Sequence, residues 1–461
     1  MSNSVLRNYL CPMGTYLILS SFVTVLSYRG AIGEFVNFTG SKDAVEAGSA
    51  FVAGGVNSGY RTGLRPNPLV FTSASGARLV DVDGNELIDY FLGMGPMLLG
   101  HSPAGVIEAA KLQLDMSVLV AGQTPLEYQA AQLITELVPS AELVRFASSG
   151  SEAVQVAFRT SRAATKRMKI IKFEGHYHGW FDNVLWSVAP EITKAGDPLA
   201  PTPVAGTEGQ EESKNLVVLP WNNSHLLEQR LKAGDIAAVI MEPVMFNTGG
   251  VLPVAGYLER VRELCTKYGT VLIFDEVITG FRVSSGGAQA RFGVTPDLTI
   301  LGKALANGFA VAAIVGKREF MDLIGNGRVM HGGTYNTQSV SMAATVATLE
   351  AIKSGAPYDA IDKTGTSLME GLREEFTRAG IVHEIVGFPA VFNLRFDLLG
   401  PTDYRSAMKA NRERYMNFAY ELLTRGIRIL PRGTWFLSSA HTASDVTTTL
   451  SAVREVVKRG I

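Results

Sequence analysis

The chain has 461 residues, more than one hydrophobic core usually serves, so one large and one small lobe are expected. Lys and Arg number 42 against 43 Asp and Glu, a net charge of −1, and no basic run or polyacidic tail breaks this balance. That argues against a nucleic acid or other polyanion as partner. Cys11 and Cys265 are the only cysteines, too few for a disulfide framework or a Cys-based metal site, and such usage suits a reducing, cytoplasmic setting.

Residues 16–28, YLILSSFVTVLSY, form an apolar run that is short for a bilayer span. Three readings stand: an extension outside the folded part, an interfacial anchor and a signal segment, of which the first is preferred and membrane contact is not. Residues 43–51 predict a short helix and 53–68 an irregular loop. Arg61 lies in that loop, within GGVNSGYR. Its planar guanidinium could pair bidentately with a carboxylate, or it could be an ordinary solvated arginine. Residues 79–90 read as a hairpin with Asp83-Gly84 at its turn.

A helix over 127–137 and a strand over 143–147 precede SSGSEAVQVAFRTSRAAT, residues 148–165. There Ser149, Gly150 and Ser151 open a helix whose free N–H groups and dipole could bind a phosphate, although the same serines would serve as ordinary caps. No GK[ST] follows, which excludes a Walker loop. The strand over 169–173 leads into EGHYHGW. His176 and His178 would share one face if the strand continued, but no third ligand has metal-site spacing, so no metal is expected. Residues 189–214 read as a long surface excursion. Strands follow at 216–219 and 237–241, the second ending at Glu242, and an amphipathic helix covers 257–268. Strand, helix, strand repeated in this way predicts a parallel sheet with helices on both faces.

Residues 271–274 are a buried strand stopping at Asp275, and 298–301 a second stopping at Gly302-Lys303. In open α/β sheets the chemistry collects at such carboxyl ends. A buried lysine loses the solvation that keeps it protonated and becomes a nucleophile for a carbonyl. Pyridoxal phosphate needs that amine, together with a carboxylate against its ring nitrogen, and Asp275 is the candidate. A helix-capping aspartate and a surface lysine would be the plainer reading of each residue alone. Further on, 308–324 predicts a strand and a helix start, 385–396 strand material and 405–424 one long helix. Pro431 and Gly433 around Arg432 would make a turn able to aim its guanidinium inward, or leave it exposed. Trp180 and Trp435 would each suit an aromatic substrate.

FDEVITGFR (274–282) and LGKALANG (301–308) resemble the signature of the class III, fold type I, pyridoxal phosphate aminotransferases. The likeness runs from about Gly54 to the C-terminus and is nearest to glutamate-1-semialdehyde aminomutases and β-amino-acid (β-phenylalanine) aminotransferases. It implies an α/β fold with a large, mostly parallel-sheet domain and a smaller α+β domain. The expected division is 1–43 as an extension, 44–100 as the N-terminal part of the small domain, 101–354 as the cofactor domain and 355–461 as the C-terminal small domain.

The resemblance implies catalytic roles for Lys303 and Asp275, a phosphate cup at Ser149, Gly150 and Ser151, and cofactor contacts from Tyr177, His178 and Val277. It implies that Thr334 reaches a neighbouring subunit's cofactor, hence a homodimer, that Arg61 and Arg432 hold carboxylates, and that Glu242 stands behind the site. Aminomutases of this group have a glutamate-bearing stretch where this chain has Pro431-Arg432-Gly433. The expected activity is therefore transfer of an amino group from an amino acid to a keto acid. The alternatives are an aminomutase and, less favoured, a scaffold without turnover.

Overall fold

The computed structural model describes residues 36–209 and 211–460; the run over 16–28, Cys11 and most of the expected 1–43 extension lie outside them. In chain order the strands are β1 (Phe71–Ser75), β2 (Arg78–Asp81), β3 (Glu86–Asp89), β4 (Leu143–Ala147), β5 (Lys169–Phe173), β6 (Leu216–Leu219), β7 (Ile236–Met241), β8 (Val271–Asp275), β9 (Leu298–Leu301), β10 (Ala312–Gly316), β11 (His383–Phe388), β12 (Val391–Phe396), β13 (Ile427–Arg428) and β14 (Thr434–Phe436).

Seven of them form the central sheet, in the order β4-β10-β9-β8-β7-β5-β6. The run from β6 through β5, β7 and β8 to β9 is parallel, whereas β10 lies antiparallel to both its neighbours. The stretch joining β9 to β10 is too short for a helical crossover, so the chain turns back on itself. The middle strands are buried throughout, as expected of runs covered on both faces. On one face Ile240, Ile273 and Ile300 pack against Val154, Ala157 and Phe158 of the Gly150–Thr165 helix. On the other, Val239, Leu272 and Phe274 meet Leu258, Val261 and Leu264 of the Tyr257–Lys267 helix. Alternation along each strand thus fills two cores from one sheet.

Two smaller sheets complete the fold, β1-β2-β3-β13 and β11-β12-β14. In the first, Ile427 pairs in parallel with Ile88, which ties the C-terminal part of the chain to the hairpin over 79–90. Gly84 takes the turn of that hairpin at φ +84°, a region only glycine enters freely.

Two expected helices are corrected. The one placed at 43–51 spans Thr39–Gly48, because the Asp83 carboxylate accepts from the N–H groups of Gly40 and Ser41 and starts the helix early. That cap comes from 42 and 43 residues further along the chain, where local sequence offers no sign of it. The long helix over 405–424 is two, Tyr404–Ala407 and Arg412–Leu423. Asn411 breaks it: its side chain caps the second helix at Arg414 N, and its own N–H goes to Phe396 O. Among the described residues no helix is long and apolar enough to cross a membrane.

Candidate active site

The site is built at the carboxyl ends of β8 and β9. After β9 the chain passes through extended Gly302 and puts Lys303 in the left-handed region at φ 45°, a strained conformation for a residue with a Cβ. This turn sends the side chain inward, where Nζ donates to Met94 O at 2.8 Å. Burial, helped by the positive charge of Arg432, pushes the Lys303 amine down to about 8.

Asp275 closes β8. One carboxylate oxygen accepts from Val277 N at 3.1 Å, and the other meets His178 Nδ1 at 2.7 Å. Burial pushes Asp275 up to about 7, with Val277 N–H and the Lys303 charge pulling part of the way back. The same burial holds His178 well below the usual imidazole range. An ionised Asp275 would therefore find a preformed N–H donor in neutral His178.

Tight glycine contacts bring the remaining parts together. A Cβ on Gly150, the first residue of its helix, would stand 3.1 Å from a Val277 methyl, and one on Gly302 would stand 3.6 Å from another. Val277 thus lies between the helix start and the Lys303 turn. Gly179, at φ +99°, packs on the same helix end: a Cβ there would come within 2.6 Å of Ser151 Oγ and 2.9 Å of Ser151 Cα. Gly179→Ala is accordingly expected to destabilise the fold by roughly 2 kcal/mol or more, through backbone strain and overpacking, read as a lowered urea midpoint at unchanged m-value. Ser149 caps the helix through Glu152 N, while the first-turn N–H groups of Gly150 and Ser151 have no carbonyl upstream to accept them. That end is suited to an anion.

Tyr177 follows on the His176–His178 turn, its backbone N–H held by Glu242 Oε1 at 2.9 Å. Glu242 also accepts from Asn247 N and, buried, is pushed up to about 7. It anchors the backbone behind the site. Tyr60 stands edge-on to Tyr177 with ring centroids 5.8 Å apart, and the Arg432 guanidinium lies 5.4 Å from the Tyr60 ring. The Arg432 Nε is buried and has no acceptor among the described residues. Beside these groups opens a cavity of about 750 Å³, walled by Asn57–Tyr60, Tyr177, Trp180 and residues 187–190 and 202–204.

Several expectations are adjusted by this arrangement. His176 and His178 lie in the turn after β5, with His178 committed to Asp275 and His176 Nδ1 accepting from Glu242 N at 2.9 Å. Among the described residues no group of three His, Cys, Asp or Glu is placed to hold a metal. Arg61 is exposed and lines no part of the cavity; its neighbour Tyr60 does, and a 3-10 turn over Gly59–Arg61 decides which of the two faces in. Thr334 is exposed on its own chain, where the same segment reaches the helix start through the hydrogen bond of Ser148 to Asn336. Trp435 is fully buried and donates to Tyr415 OH, so it belongs to the core, whereas Trp180 is 65 % exposed at the cavity mouth. Tyr60 and Met94 carried no signal in sequence. Both reach the site by tertiary contact alone.

This arrangement is that of a known family. The family model for class III aminotransferases matches residues 60–444, and the chain belongs to that family. It is 41 % identical over 418 residues to a glutamate-1-semialdehyde 2,1-aminomutase of Ignicoccus hospitalis, spanning 88 % of this chain and 96 % of the relative. Its structure is similar to an omega-transaminase from Sphaerobacter thermophilus, with TM-score 0.85 and 33 % identity over 91 % of this chain and 98 % of that one. It is also similar to a β-phenylalanine aminotransferase from Variovorax paradoxus, with TM-score 0.79 and 26 % identity over 90 % and 93 %. The cofactor is pyridoxal phosphate. The residues present fit it: a buried amine of lowered pKa, a buried carboxylate with an N–H donor behind it, and a glycine-lined helix start with free N–H groups.

Proposed function

We propose that the chain is an aminotransferase that moves an amino group from an amino acid, in particular one with the amine β to its carboxylate, to a keto acid. Bound pyridoxal phosphate would supply an electron sink for the carbon that loses its proton. Lys303 would attach the cofactor through its amine, yield that place to the substrate amine, and then carry a proton between the substrate carbon and the cofactor. Asp275, held by His178, would keep the ring nitrogen protonated. Tyr177 and Val277 would provide apolar contact to the ring, and the helix start at Ser149, Gly150 and Ser151 would bind the phosphate.

The observation that carries the reading is Arg432. Its guanidinium has a buried Nε without an acceptor beside Tyr60 and Tyr177, and it depresses Lys303, so a carboxylate there would satisfy it. Amino acid and keto acid both bring one, as two successive half-reactions through a single site require. The second reading, an aminomutase acting on glutamate-1-semialdehyde, is favoured by the 41 % identity to a protein of that name.

Arg61, exposed here, would bind a substrate carboxylate only by turning inward. Thr334 would act on a second subunit. In support of a homodimer, Met116, Met330 and Tyr335 are 80 %, 74 % and 66 % exposed on segments joined by the Ser339 N to Val118 O bond. The free, buried thiol of Cys265 is in keeping with a cytoplasmic location.

The test mixes cofactor-loaded protein with single amino donors: a β-aryl β-amino acid, glutamate, alanine and glutamate-1-semialdehyde. Loss of the yellow absorbance with a β-amino acid, and its return on adding a keto acid, is the expected outcome. Conversion of glutamate-1-semialdehyde to 5-aminolevulinate without keto acid would instead make the protein an aminomutase. Arg432→Met should raise KM for the carboxylate-bearing donor by about 30-fold or more, the loss of a charge-assisted pair, with kcat much less affected.

A further inference from the structure

Behind Asp275 the structure holds buried ionisable groups that the proposed chemistry does not use. His176 is fully buried, packed on Trp221 with ring centroids 4.6 Å apart and on Phe173 at 5.6 Å. Lys172 is equally buried and donates to the carbonyls of Val184 and Trp186 at 3.2 and 2.6 Å. The two imidazoles stand 5.9 Å apart, centroid to centroid. In each, Nε2 is buried and has no protein partner.

The hydrogen-bond partners assign the protons. His176 Nδ1 faces the backbone N–H of Glu242, which can only donate, so Nδ1 accepts and the ring proton is on Nε2. His178 Nδ1 faces the Asp275 carboxylate, which when ionised can only accept, so there the proton is on Nδ1 and Nε2 is a bare lone pair. Burial and the nearby Lys172 charge keep both rings neutral, which leaves one proton on each. One unmatched atom is thus a donor and the other an acceptor, on neighbouring rings whose 5.9 Å centroid separation is too wide for a direct hydrogen bond between the two nitrogens. Buried polar atoms in folded proteins nearly always find a partner, directly or across one water.

We propose that His176 is a positioning residue: one water bridging its Nε2–H to His178 Nε2 holds His178 in the tautomer that donates to Asp275. The chain Glu242 N–H, His176, His178, Asp275 then fixes the carboxylate that faces the cofactor ring. Support for a ligand from one layer further out is the usual way such a group keeps its tautomer and orientation. The inference rests on Asp275 facing the ring nitrogen only in its consequence for the cofactor, and the tautomers themselves are independent of it.

Two measurements test it. Long-range nitrogen–proton spectra of histidine-labelled protein should place the proton of His178 on Nδ1 and that of His176 on Nε2, and His176→Phe should shift the His178 Nε2 resonance. The opposite tautomers, or an unmoved resonance, overturn the link. In cofactor-loaded protein, His176→Phe should speed cofactor release by about ten-fold or more and displace the pH midpoint of the bound cofactor's absorbance, while His176→Gln, which keeps a donor at that reach, should stay within about two-fold of the parent. Equal damage in both variants would reduce His176 to a space-filling residue and overturn its positioning role. Failure of the Asp275 reading would look different: Asp275→Asn would leave absorbance and turnover unchanged.

Discussion

Replacing Lys303 by alanine is expected to lower turnover by about 10⁴-fold or more, with the protein still folded. On the proposed roles the loss would combine covalent attachment of the cofactor and proton transfer at the reacting carbon, and no other described amine is placed to take over: Lys172, the other deeply buried lysine, is held by two backbone carbonyls. Stability should not suffer. Lys303 occupies a site whose burial disfavours its charge, and alanine keeps the same backbone strain at φ 45°, so the change removes a desolvation cost along with one bond to Met94 O. The measurement is single-turnover absorbance beside a thermal melt; a variant that melts far below the parent would mean the lysine is structural. The parent's pH dependence follows from the same burial. Only the neutral amine attacks, and with Lys303 held at about 8 the rate of cofactor capture by cofactor-free protein should rise with pH and level off above that value. An ordinary lysine would level off near 10.4.

Asp275→Asn should cost about 100- to 1,000-fold in turnover, because a neutral amide cannot hold the ring nitrogen protonated through the transition state. Cofactor-free protein should show the reverse trend in stability. With its folded pKa raised to about 7, Asp275 binds its proton more tightly folded than unfolded, so its contribution to stability is full below about pH 4 and is lost as pH rises through about 7. At pH 8 the parent carries an ionised, buried carboxylate and the Asn variant does not. The variant should then melt at the same temperature or higher at pH 8, and lose that advantage at pH 5. Loss of both activity and stability at pH 8 would mark Asp275 as a structural group.

Much of this site could be read from the chain alone, for a local reason. Asp275 closes the run Val271–Phe274 and Lys303 follows Leu298–Leu301 after Gly302; short β-rich runs of this kind, apolar but for Thr299, read as strands covered on both faces, so their ends mark the sheet's carboxyl edge. The serines and glycine that open the Gly150–Thr165 helix declared a helix start in the same way. These features repeat at strand or helix spacing, and their meaning depends on neighbours a few residues away.

What only the tertiary structure decided depends on contacts between distant segments. Tyr60 faces the cavity and Arg61 the solvent because of one short turn, and nothing in GGVNSGYR orders the two. Trp435 and Trp180 are alike in sequence, yet one is sealed in the core against Tyr415 and the other opens on the cavity mouth. Arg282, inside the most recognisable motif of the chain, is fully buried and donates to the carbonyls of Gly95, Ala390 and Leu437, joining three distant segments. The sequence by itself therefore marked an acid and an amine at two strand ends, and the likeness of FDEVITGFR and LGKALANG to a known family, rather than local burial, gave them a class of chemistry. The folded structure decided which of Arg61 and Arg432 lies beside Tyr60 at the cavity and which histidine meets the acid, because these are properties of side chains brought together from distant parts of the chain.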